Sequence, residues 1–132
     1  ANRPMFVASF GPTPGPIETG EKHIGISMPK YIVTRAPAPL DWARLDGQPL
    51  MGSARGIALA ANAPRPNAGK LFMDYWLSQA AANMLATDVG EWVLYEGVFP
   101  PIDGIADAEV IPLRELSDEE IQKWSEVFQT IF

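Results

Sequence analysis

Ser53 and Arg55 stand two residues apart and offer a hydroxyl and a guanidinium, donors that suit an anionic ligand. The same pair also reads as an ordinary loop serine and surface arginine. Asn67 precedes a helical pattern and is placed to cap its free amides; such amides can also hold an anion. His23 is the only histidine, which excludes a multi-histidine metal site. With no cysteine there is no disulfide, thiolate metal site or thiol nucleophile. Asp103, Asp107 and Glu109 lack the residue order of a calcium-binding hand and read as a solvated loop. Gly69-Lys70 has no glycine at phosphate-loop spacing and no Ser or Thr after the lysine. No serine sits in a Gly-x-Ser-x-Gly elbow. Binding, rather than catalysis, is the chemistry these residues point to.

The elements that must position them centre on the stretch from Gly56 to Gln79. Gly56 to Ala61 is a short apolar run of the kind a buried strand uses. Pro64 and Pro66 then remove backbone donors and form an elbow. From Ala68, the residues Leu71, Phe72, Tyr75 and Trp76 recur at helical spacing. Ala80 to Ala86 prolongs or restarts helix, and Val89-Gly90 stops it. Upstream, Met5–Phe10, His23–Met28 and Asp41–Asp46 read as short strands, with His23 at an exposed edge. Gly11–Pro16 carries three prolines and two glycines and is expected to be irregular. Ala36–Leu40 reads as stiff and extended, and Gln48–Arg55 as a loop. Glu91–Tyr95 reads as a strand or a helical turn. Ser117 and Glu120 form a capping box for a last helix, whose apolar stripe is Ile121, Trp124, Val127, Phe128 and Ile131. The expected fold class is α/β, three or four strands in a mixed sheet with helices packed on it.

Composition narrows the partners. The chain has 132 residues, 47% of them hydrophobic and 10% aromatic, enough for an ordered domain. Sixteen acids against ten bases give a net charge of −6, which disfavours nucleic acid and anionic membrane surfaces. No run approaches the ~18 apolar residues of a membrane helix. Ala1-Asn2-Arg3-Pro4 does not start a signal peptide.

Ala63-Pro64-Arg65-Pro66-Asn67-Ala68, followed by Lys70-Leu71-Phe72-Met73-Asp74-Tyr75-Trp76-Leu77-Ser78, resembles the C-terminal signature of solute-binding proteins of bacterial ABC importers, iron(III)-type branch. That family shows an apolar strand, an Ala-Pro-His-Pro-Asn-Ala-like elbow and a Lys-Leu-Phe-x-Asp-aromatic-Leu-Leu-Ser helix. The likeness extends diffusely from Gly20 to Phe132, including Gly20-Glu21 and Ile24-Gly25-Ile26. It departs at Gln79-Ala80, where the family continues Pro-Glu-Gly-Gln, and at Gly97–Ile102, which lacks the family's arginine.

The resemblance implies a two-lobed, type II periplasmic-binding-protein fold of which this chain is a part. Residues 1–40 would be a remnant of one lobe with its crossover, and 41–132 the C-terminal part of the other. A short Tyr-bearing helix is implied at Pro29–Arg35. The implied function is capture of a small ligand between the lobes, outside the cytoplasm, and its delivery to a membrane permease. Ferric iron is the ligand the branch suggests, with Tyr31 as metal ligand and Ser27, Ser53 and Arg55 completing the ligand-binding set. A phenolate is a hard anionic oxygen, and Fe(III) draws its proton off well below the usual pKa of about 10. Here a single tyrosine, Tyr31, stands beside Lys30, where the iron binders show adjacent tyrosines. As part of a larger fold, the chain would leave apolar surface open and favour a homodimer. The alternative is a free-standing α/β interaction domain without a transport role.

Overall fold

The computed structural model describes residues 4–44 and 47–131. In chain order the elements are α1 (Pro14–Glu18), α2 (Tyr31–Thr34), β1 (Leu50–Gly52), α3 (Pro66–Trp76), α4 (Gln79–Val89), a short 3-10 turn (Ile105–Asp107), β2 (Val110–Pro112) and α5 (Asp118–Ile131). The class is α/β, with five α-helices and a two-stranded parallel sheet among the described residues. The chain divides into two compact units, Ala1–Gln48 with Ile57–Ala108, and Pro49–Gly56 with Glu109–Phe132.

In the first unit α4 is the centre, with α2 and α3 both packed against it. Its alanines explain why: Ala81 and Ala86 are fully buried, and side chains that small let neighbouring backbones approach. Ala82, Ile102 and Ile105 complete the buried hydrophobic set among the described residues. Ser78 starts α4 in extended conformation, its Oγ accepting from the Ala81 amide at 3.3 Å and donating to the Tyr75 carbonyl at 2.6 Å. At the other end Gly90 takes φ 69°, and its N–H donates to Ala86 O at 3.1 Å. Lys30 Nζ meets Glu91 Oε1 at 2.6 Å, tying the start of α2 to the end of α4.

The elbow before α3 works differently from the sequence reading. Pro66 opens the helix, where its missing N–H is no loss, and Arg65 is the N-cap without a side-chain bond. Asn67 therefore lies inside the first turn and does not cap it. Leu59 packs over Gly69 of α3, and Phe72 stacks on Trp76 at 5.5 Å. The apolar face of α3 is nonetheless largely open, with Leu71 and Phe72 71% and 53% exposed. After α3 the chain breaks at Leu77 and restarts as α4, one of the two outcomes expected of Ala80–Ala86.

In the second unit β1 and β2 pair in the register Leu50↔Val110, Met51↔Ile111, Gly52↔Pro112. Leu50 N–H donates to Glu109 O at 2.8 Å, and Leu113 N–H to Gly52 O at 2.7 Å. The capping box forms as read. Ser117 N–H donates to Glu120 Oε2 at 3.0 Å, and Glu120 N–H to Ser117 Oγ at 3.3 Å. Arg114 adds a fork to the same carboxylate, at 2.6 and 3.0 Å.

Several expected elements do not form. Gly56–Ala61 is not a strand: residues 53–60 carry no regular structure, and the strand lies earlier, inside the stretch expected to be a loop. Alanine and glycine are poor strand formers, whereas Leu50-Met51 finds a ladder partner. Met5–Phe10 and His23–Met28 likewise lack a partner strand. Residues 24–28 instead run over α1, where Thr13 and Ile17 fill the space that a side chain at Gly25 would need. Of Asp41–Asp46, residues 41–44 form no strand, and Leu45 and Asp46 lie outside the described residues. Side chains anchor that segment: Trp42 Nε1 donates to Asp103 O at 3.0 Å, and Arg44 donates to Gly104 O and Asp107 O, both at 3.2 Å. Glu91–Tyr95 is neither strand nor helix. The proline-rich Gly11–Pro16 is not wholly irregular, because Pro14 and Pro16 fall in the first turn of α1, where prolines need no donor. Ala36–Leu40 is not extended either; Ala38 N–H closes a turn on Arg35 O at 2.8 Å, across a cis Ala36–Pro37 bond.

Candidate functional site

The short helix implied around Tyr31 is present as α2. It begins where Pro29-Lys30 turn the chain, with Tyr31 N–H donating to Met28 O at 3.2 Å and Ile32 N–H to Pro29 O at 3.0 Å. Tyr31 is half-buried. Its hydroxyl reaches the bend at residues 9–11: a methyl group built on Gly11 would stand 3.8 Å from Tyr31 Oη and 3.9 Å from Ser9 Oγ. Glycine at position 11 thus leaves a small gap between two hydroxyls.

Two more polar side chains reach the same bend. Ser27 Oγ donates to Phe10 O at 3.4 Å, and Arg35 Nη2 donates to Gly11 O at 3.5 Å. Both distances lie at the long end of hydrogen bonding, so exchanging either contact for a ligand oxygen costs little. Arg35 also faces Glu18 of α1, with 3.6 Å between Nη1 and Oε1. That carboxylate oxygen is buried and accepts no hydrogen bond, so the guanidinium is its compensation. On the other side, Lys30 Nζ lies 5.8 Å from the centre of the Tyr31 ring while engaged with Glu91. Tyr31 is therefore flanked by two cations, each already paired to a carboxylate.

Of the four residues expected to bind ligand, Ser27 and Tyr31 meet at one bend of the first unit. Ser53 and Arg55 belong to the second unit, in the exposed segment that follows β1. His23 is exposed, as expected, but on no strand. Asp103 and Asp107 serve through their backbone carbonyls, as acceptors for Trp42 and Arg44. Ser9, Gly11, Arg35 and Glu18 were not anticipated. No spacing connects them: Ser9 falls in a run read as a strand and Gly11 in the proline-rich stretch after it, and only the fold brings them beside Tyr31. Among the described residues, no group of three or more His, Cys, Asp or Glu is placed to hold a metal ion. No described helix is long and apolar enough to cross a membrane. No protein-family model, curated protein or solved structure matches this chain.

Proposed function

We propose that this chain is part of the solute-binding component of an ABC importer, with a type II two-lobed fold in the whole protein. It would capture a small ligand between lobes outside the cytoplasm and present it to a membrane permease, without catalysing a reaction. The observation that carries this reading is the segment Ala63–Ser78: proline elbow, aromatic helix and terminal serine follow the resemblance almost position for position. Three further features support it. The segment folds as an elbow into α3, with Ser78 capping the next helix. Tyr31 heads a short helix and turns its hydroxyl toward Ser9 and Gly11. The apolar face of α3 stands open, as it would where another part of a larger protein covers it.

Ligand chemistry follows from the bend at residues 9–11. Its hydroxyls suit an oxygen-rich ligand, and Tyr31 as phenolate would supply one bond to a ferric ion carried as cargo. The other ligands of that ion would come from the cargo's own chelator or from outside this chain. Titration with ferric nitrilotriacetate, followed in the visible range, tests the iron assignment. Wild type should develop a phenolate-to-iron absorption band that Tyr31→Phe loses. Equal bands in both, or a band in neither, sinks the assignment. Sequencing the gene around this chain tests the transport role: a first lobe with a signal peptide, beside permease and ATPase genes, is the expected context.

A second reading, a free-standing interaction domain, rests on one observation. None of the described residues in the second unit is buried, and α5 displays its whole apolar stripe.

A further inference from the structure

We infer that α5 is the interface of a homodimer, pairing antiparallel with α5 of a second copy about a two-fold axis. The inference requires only α5 and stands independently of the transport reading. Ile121, Trp124, Phe128 and Ile131 are spaced three, four and three residues apart, i, i+3, i+7 and i+10, the alternation of a coiled-coil seam. All four are exposed, from 49% at Phe128 to 65% at Ile131. Ile121, Trp124 and Phe128, with Leu116, Ser125 and Gln129, line an open groove of about 460 Å³ along the helix.

A second copy fits this seam on three counts. In antiparallel pairing, Ile121 meets the partner's Ile131 and Trp124 meets the partner's Phe128, so the four layers match aliphatic with aliphatic and aromatic with aromatic. Residues beside the axis face their own copies, and here these are Ser125 and Val127, so no charge opposes itself. Glu126 lies on the outer face. The acidic first turn, Asp118, Glu119 and Glu120, comes beside a last turn that carries no charged residue, whereas parallel pairing would bring both acidic turns together. The third count is area. With Val127 and Leu116, the seam exposes on the order of 500 Å² per copy, so a dimer would bury roughly 1,000 Å², the lower bound for a specific interface. A dissociation constant in the micromolar range is the expected strength.

The test uses the full chain in sedimentation velocity from about 1 to about 500 μM, the range that brackets such a constant. Mass should rise with concentration from 14.4 kDa toward twice that value. Ser125→Glu and Ser125→Arg each set like charges against one another at the axis and should weaken dimerisation at least about tenfold. Both substitutions favour helix over serine, and far-UV circular dichroism verifies that α5 persists. An equimolar mixture of the two variants should recover dimer, because opposite charges then face across the axis. In a parallel pair, position 125 would face away from its copy and mixing would rescue nothing. A wild type that stays at monomer mass throughout overturns the inference. So does undiminished dimerisation of both variants, no recovery on mixing, or a wild type that remains monomeric and binds phosphatidylcholine vesicles through α5.

Discussion

Gly90 meets two demands at once. Its φ of 69° ends α4 in the left-handed region, and Lys30 and Val33 of the neighbouring segment press on the space where a side chain would start. A Cβ there would lie 3.0 Å from Lys30 Cα, Lys30 O and Val33 Cβ. Gly90→Ala should therefore destabilise the first unit by about 2 kcal/mol or more, combining backbone strain with contact against main chain. Urea unfolding checks it, and a change below about 0.5 kcal/mol would mean that α2 does not press on α4 as described. Glu120 carries a different expectation. The Arg114 fork, then the Ser117 amide, lower its pKa from the ordinary 4.5 to about 2. A depressed carboxylate contributes its stabilisation above the ordinary value and loses it as the pH falls toward 2, so the α5 cap should be intact at pH 7 and fail in acid. Carbon-13 NMR of the Glu120 carboxyl should show this midpoint, and Arg114→Ala should move it upward. An unchanged midpoint would rule out the fork as its main cause.

Elements show what could be read from sequence and what could not. The α5 capping box and the stop at Gly90 were legible because both depend on local residues, a serine with a glutamate three on and a glycine after a helix. The strands were not. Gly56–Ala61 and Leu50–Gly52 are both short apolar runs, and only the latter is hydrogen-bonded to residues sixty positions away. Nothing local distinguishes a run that finds such a partner. The prolines of Gly11–Pro16 misled for a related reason, since proline breaks a helix interior but suits a first turn, and only the fold decides which position it takes. The Tyr31 bend was half legible: Tyr31 and Ser27 came from the resemblance, while Ser9, Gly11 and Arg35 join them only through tertiary contact. Packing at α4 gives the test at this scale. Ala86 is fully buried on the helix against which α2 and α3 pack. Ala86→Leu should overpack that centre and cost about 1–3 kcal/mol despite leucine's good helix propensity, as thermal unfolding would reveal. A stabilised variant would mean that α4 has free space beside it.

Across the whole molecule, burial is uneven, and that unevenness has a measurable consequence. Every buried hydrophobic side chain among the described residues lies in the first unit, three of the five on α4. The second unit holds its strands by ladder hydrogen bonds and its helix by a cap, with no buried side chain to oppose local opening. Amide protection follows buried contacts more than hydrogen bonds alone. At low concentration, hydrogen exchange should therefore be slowest in Ala82–Ala86 and much faster in β1, β2 and α5. Raising the concentration should leave α4 unchanged and slow exchange in α5, because only α5 gains a covering surface when two copies meet. Protection of α5 equal to that of α4 in dilute solution would show that the stripe is covered within a single copy. Protection rising equally in every element would point to nonspecific association rather than a seam on α5.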